Sequence, residues 1–311
     1  MTALRWLGGR LVLLLLTMLA VSLLVHLALE VDPARVAVKV LGQFSAPDQR
    51  AAWLTAHGYD DPFLTRYLRW LGGFVQGDFG RSSFYQEDIV TLLRPRLAAS
   101  ALLGGIALAV IVPLSLGLGI AAGARAGSAV DHAVTGFAVV TAAVPEYASA
   151  ALLVAVFVVN LGWLPGVSTM ADGIAARELV LPVAVLVLAS TGYLARMTRA
   201  GMIEALAQPY VRTARLKGAS RRRIVLAHAL PNALLTPVTV ILLQVPWLLS
   251  GVVVVEVFFA YRGFGTLVYQ AALNSDVYLV EACAMVSVAV VVVSQLIADL
   301  AYLALDPRLR T

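Results

Sequence analysis

The strongest constraint on this chain is a series of six apolar stretches, at about 11–29, 97–123, 133–159, 179–195, 233–259 and 279–304. Each approaches or exceeds the roughly 20 residues a helix needs to cross the hydrocarbon core. Lipid offers no hydrogen-bond partners, so a spanning segment has to satisfy its own backbone, and runs of this length fold as helices. Composition agrees, with 60% hydrophobic and 13% charged residues and a mean hydropathy of +0.87, where a soluble domain carries about 25% charge. The expected fold class is therefore all-α: a polytopic membrane protein with six transmembrane helices. Its expected organisation is an N-terminus and first span over 1–29, an external segment over 30–96, and a five-helix core over 97–311 that carries a cytoplasmic loop at 196–232.

The run Leu11–Leu29 exceeds the roughly 7–15 residues of a signal-peptide core and lacks a small-x-small cleavage site, so it reads as a retained helix. Pro113, Pro145, Pro237 and Pro246 fall inside apolar runs and are expected to kink those spans rather than break them. The fourth run is the shortest and holds Pro182.

Orientation follows from the basic residues. The N-terminus, 124–132, 196–232 and the C-terminus hold 13 of the 23 Lys and Arg against three acids, whereas the opposite loops hold 10 against 11 acids. The first set is expected inside, which puts both termini on the cytoplasmic side. The external segment has a helical pattern near Pro47–His57, a stop at Gly58 and a second helical stretch from Asp61-Pro62 to about Val75, which predicts two short helices.

Several chemistries are excluded or disfavoured. Cys283 is the single cysteine, so no disulfide forms within the chain. The net charge of +5 resides in loops between apolar runs and not on a soluble basic face, which argues against nucleic acid. His26, His57, His132 and His228 are scattered, and no His-Glu-x-x-His pattern supplies a metal site. A P-loop needs Gly-Lys-Ser/Thr, but Lys39 precedes Val40 and Lys217 precedes Gly218. No catalytic residue and no cofactor is expected in this chain.

The most informative stretch runs from Tyr210 through Val211, Arg212, Thr213, Ala214, Arg215, Leu216, Lys217, Gly218, Ala219 and Ser220 to Arg221-Arg222-Arg223, with His228-Ala229-Leu230-Pro231-Asn232 following. It reads as helix, break, helix. Gly218 is suited to a left-handed helix end, and Ser220 is suited to cap the next helix. Membrane lipid would account for the arginines but not for that punctuation, and a loop of this length in a compact membrane protein usually serves a function.

This stretch resembles the cytoplasmic EAA loop of ABC importer permeases, in which a glycine is followed after nine residues by an apolar-x-Leu-Pro element. Gly218 and His228-Ala229-Leu230-Pro231 keep the spacing, while Arg212-Thr213-Ala214 stands where the name-giving triplet would be. Those departures are similar to the dipeptide/oligopeptide/nickel branch, as are Asp61-Pro62, Gly77-Asp78-Phe79-Gly80, Leu161-Gly162-Trp163-Leu164-Pro165, Glu256-Val257-Phe258 and Asp306-Pro307-Arg308. The resemblance implies a permease forming half of the pathway of an ATP-driven importer of short peptides, with nickel chelates and glutathione as alternative cargo. It implies a second homologous permease subunit, two ATPase subunits holding ATP and Mg, and an extracytoplasmic solute-binding protein. The coupling helix would be about Arg212–Arg223.

Ionisable and polar groups inside spans are candidates for the translocation path, because a charge at the bilayer centre costs about 2.5–3.5 kcal/mol on insertion scales. Glu146 follows Pro145 directly, either on the path or as a hydrogen-bonded carboxyl at a helix contact; Asn160, Gln244 and Ser250 serve as path residues or as interhelical hydrogen-bonding groups. Trp53, Trp70 and Trp163 read as interfacial anchors. The loop Tyr261–Gly265 is a re-entrant lip or a plain turn. A secondary transporter relaying ions through Glu146 would show inverted repeats, and none is visible; an inert scaffold would leave the helix–Gly–helix loop without a purpose.

Overall fold

Residues 3–30, 32–170, 173–250 and 252–305 are described by a computed structural model, and helices dominate them; an isolated bridge between Arg81 and Asp88 is the one β feature among the described residues. Four helices are long and apolar enough to span a membrane: α1 (Ala3–Glu30), α5 (Ile89–Gly123), α8 (Ala176–Ala207) and α14 (Val277–Leu305). Two bent pairs bring the number to six when each counts as one span: α6 (Ala129–Ala143) with α7 (Glu146–Asn160), and α10 (Arg221–Ala233) with α11 (Leu235–Ser250). The sequence expectation of six spans is met in that form.

Pro145 departs from expectation. Helices α6 and α7 meet at 100°, so the third apolar run is broken, not kinked. Val144 before the proline is extended (φ −91°, ψ 121°), as the clash with the proline ring demands, and Pro145 restarts the chain at the head of α7. Pro182 and Pro246 remain inside α8 and α11. The fourth run, expected to be the shortest, is the core of a 32-residue helix whose polar end continues to Ala207. The fifth run does not stay one helix: α11 ends at Ser250, and a separate α12 (Val253–Phe258) follows.

The chain divides into two units. The first contains Met1–Ser100 and Arg262–Leu296. Here α1 is followed by three short helices, one more than the sequence suggested: α2 (Pro33–Leu41), α3 (Pro47–Ala56) and α4 (Phe63–Gln76). Helix α2 starts at Asp32, whose side chain accepts from Arg35 N, with Pro33 at its first position. Val36, Tyr59 and Val277 form one small core, and Ile89, Leu93, Leu279 and Cys283 pack with Phe264 and Leu267 of α13 (Phe264–Leu273) in another. Buried Cys283 is thus ordinary packing.

Polar ties fasten this unit. His26 Nδ1 on α1 lies 2.7 Å from Glu281 Oε1 on α14, both side chains buried, and the imidazole stacks on Trp70. Glu30 accepts a 2.7 Å hydrogen bond from Tyr59, whose hydroxyl pKa is pushed up by burial and by the Glu30 charge, so it stays a donor. Asp276, fully buried, accepts from Ser82 Oγ, Ser83 Oγ and Phe84 N while also capping Leu279 N at the head of α14. Trp53 stacks on His57, and Trp70 packs on His26 and Phe74, so these two rings belong to the fold of this unit; Trp163 is exposed.

The second unit is Ala101–Tyr261 with the last turns of α14. Helix α8 packs there against α6, α7, α10 and α11. The approaches depend on missing side chains: a Cβ on Gly192 would stand 2.4 Å from Thr141 Oγ1 and 2.8 Å from Ala138 Cα, and one on Gly119 would stand 2.6 Å from Ala195 O. Small residues permit backbones to meet this closely where lipid provides no hydrophobic drive. Asp131 of α6 takes both the Nε and Nη2 of Arg199 on α8 and also accepts from Gly127 N at 2.8 Å. Asp299, near the far end of α14, is buried here.

Candidate functional site

The region expected as a loop over 196–232 is mostly helix. Residues 196–207 prolong α8 and those from Arg221 onward belong to α10, which leaves a compact hairpin: α9 (Pro209–Leu216), a turn at 217–220 and the start of α10. The coupling element implied at about Arg212–Arg223 is thus two helices divided by a turn, the helix, break, helix that the residues predict. Gly218 is left-handed (φ +78°), its N–H donates to Arg215 O at 3.0 Å, and Ala219 N donates to Ala214 O at 3.1 Å. That pair of bonds closes the last carbonyls of α9 in a Schellman turn. Ser220 Oγ then accepts from Arg223 N at 3.4 Å and opens α10. Both devices stand where the sequence put them.

The hairpin has two faces. Val211, Ala214 and Ile224 are buried together with Leu206 and Ala219 packed on them. On the other face Arg212, Thr213, Arg215, Lys217 and Gly218 are exposed, and Leu216 is 81% exposed, a large apolar side chain set among cations. Such a pairing is unfavourable in water and suits a partner with an apolar slot and an acidic rim. Further along α10, His228 and Leu230 are half-buried and Pro231 is exposed. Residues Ile224–Ala229 form a π-helical stretch, a widened turn that delivers this element into the following span.

The four candidate path residues are not gathered. Glu146 opens α7 beside the break and lines a recess of about 450 Å³ with Thr141, Pro145, Tyr147, Ala189 and Val254. Asn160, exposed, is at the other end of α7, roughly 20 Å away along the axis at 1.5 Å per residue. Gln244 is half-buried in α11, and the side chain of Ser250 lies outside the described residues. The segment Tyr261–Gly265 leads directly into the short apolar helix α13, with Phe264 N donating to Ser100 Oγ at 2.7 Å. Burial and the Glu256 charge push the Tyr261 hydroxyl up to about 12.

The buried ties of the first unit went unnoticed in the sequence. Asp276 had a readable signal, an acid just ahead of an apolar run. The pairing of His26 with Glu281 had none, because the two are 255 residues apart.

These features describe a multi-span helical protein carrying a basic-and-apolar helical hairpin between two of its candidate spans. Residues 115–311 match the family model described as binding-protein-dependent transport system inner membrane component, and the chain belongs to that family of multi-pass inner membrane permeases. The oligopeptide transport system permease protein AppB of Bacillus subtilis is 36% identical over 267 residues, covering 84% of each chain. A putative peptide transport system permease protein of Brucella abortus is 33% identical over 297 residues, covering 94% of this chain and 95% of its own. The oligopeptide transport system permease protein OppB of Salmonella typhimurium is 34% identical over 271 residues, covering 86% and 88%.

Proposed function

We propose that this chain forms half of the translocation pathway of an ATP-driven importer of short peptides and that the hairpin 209–223 receives the stroke of the ATPase. The peptide reading draws on the relatives, which are named as oligopeptide or peptide permeases. In this reading a second permease completes the path, two ATPase subunits hold ATP and Mg, and an extracytoplasmic binding protein delivers the peptide. The chain lacks the Gly-Lys-Ser/Thr of a nucleotide loop, which supports a separate motor. Both termini and the hairpin would be cytoplasmic, following the basic residues.

The observation that carries the coupling role is the exposed Leu216 among Arg212, Arg215 and Lys217 on a hairpin made rigid by its buried side. Glu146, Asn160, Gln244 and Ser250 are proposed to face the cargo at different depths. The test is a Leu216→Asp/Arg212→Glu variant expressed with its partner subunits. ATPase co-purification and uptake of labelled tri- and tetrapeptides should both fall at least tenfold, with membrane insertion unchanged. Retained ATPase binding together with normal uptake would overturn the assignment, and uptake of nickel chelates or glutathione in place of peptides would overturn the cargo.

A further inference from the structure

Beside the hairpin, the end of α5 and the start of α10 enclose an open cleft of about 440 Å³. Its walls are Ile120 and Ala121 from the last turn of α5, and Val225 and Leu226 from α10. Leu226 is 48% exposed, an apolar side chain left uncovered beside the end of a membrane-spanning helix. The rim is Arg125, Arg221 and Arg222, and every charged residue lining the cleft is an arginine. A neighbouring recess shares Arg221 and adds Arg215, again without an acid. Arg221 is committed, its Nη2 donating to Ala124 O at 2.8 Å and holding the two walls at a fixed spacing. Arg125 and Arg222 are exposed.

We infer that this cleft binds an anionic phospholipid, with the phosphate held by Arg125 and Arg222 and an acyl chain lying along Ile120, Ala121, Val225 and Leu226. Charge complementarity selects the headgroup: three arginines and no carboxylate form a site for phosphate and repel none of its oxygens. Depth selects lipid over a soluble protein. One wall is the last turn of a span, and the other is a helix that leads into the next one, so the apolar surface lies at the level where acyl chains begin. The ligand would hold α5 and α10 together from outside, next to the element proposed to move, and would make the hairpin sensitive to the charge of the surrounding bilayer.

The test uses the intact complex, purified in detergent and stripped of lipid, then titrated with phosphatidylglycerol or phosphatidylcholine and read by native mass spectrometry. Phosphatidylglycerol should remain bound preferentially. Each arginine near an anionic surface contributes about a fivefold preference, so the Arg125→Gln/Arg222→Gln variant should lose about 25-fold in selectivity. A Leu226→Asp variant, which leaves both arginines in place but puts a carboxylate in the apolar groove proposed for the acyl chain, should lose binding as well. The inference is overturned by equal retention of the two lipids or by an unchanged preference in the double variant. It is also overturned if inorganic phosphate alone displaces phosphatidylglycerol, which would indicate a simple anion site. Loss of ATPase co-purification with lipid retention intact would assign the arginines to a protein partner and likewise overturn it.

Discussion

Gly218 offers a clean test of whether backbone conformation sets the hairpin. The residue has φ +78°, and a Cβ built on it meets no atom within 4 Å. A substitution therefore pays for conformation alone, not for space. An L-residue held left-handed costs about 1–2 kcal/mol, a shift of roughly 5–30-fold in the population of the native turn. Alanine should show that loss, and leucine should match it because the extra volume projects into open space. Valine should be worse, since β-branching disfavours positive φ further, and asparagine should be mildest because it tolerates the left-handed region. The assay is limited proteolysis of the hairpin in the permease purified without its ATPase subunits, across the series Asn, Ala, Leu and Val. The expected order of damage is Asn, then Ala equal to Leu, then Val. Damage that grows with side-chain volume, so that Leu is much worse than Ala, would refute the reasoning, as would an Asn variant as poor as Val.

Three further outcomes follow from the packing and the charge pattern. Gly192→Leu should force α6 from α8 and lower resistance to SDS-induced unfolding by about 1–3 kcal/mol, because its Cβ would collide with Thr141 and Ala138, whereas Gly105→Leu, with nothing within 4 Å, should leave the midpoint in place. Asp131→Ala should lower the midpoint in the same assay by stripping Arg199 of its carboxylate, with Asp131→Glu restoring part of it. A reporter placed after Ser83 should score on the side opposite to one placed at Gly218; the same side for both would remove the six-span arrangement.

What the sequence made legible was what depends on local pattern. Apolar runs located the spans because hydropathy is a property of consecutive residues, and Gly218 and Ser220 announced their roles because helix ends require particular residue types. The break at Val144-Pro145 stayed hidden because an apolar run reads the same whether straight or bent through 100°. Helix α8 outran its apolar stretch because Arg196 and Arg199 carry the helix beyond the point where hydropathy falls. Helix α2 had a readable start in Asp32-Pro33 and an amphipathic pattern, but at nine residues it is too short for that pattern to repeat along the sequence. The path candidates were chosen by residue type alone, and type says nothing about whether Glu146 and Asn160 share a recess.

The contact between His26 and Glu281 has a consequence for biosynthesis. One partner lies on α1 and the other on α14, with a sequence separation of 255 residues. At about 5–20 residues per second, α1 waits roughly 13–50 seconds in the membrane before its partner is made. During that interval Tyr59 also lacks the Tyr278 hydroxyl as a partner, and the rings of Trp70 and Tyr67 pack on an imidazole with no carboxylate. The first unit therefore closes only after Glu281 has been made. A chain truncated ahead of Val277 would leave an unpaired polar group on its leading helix, giving membrane quality control a local mark of an unfinished permease.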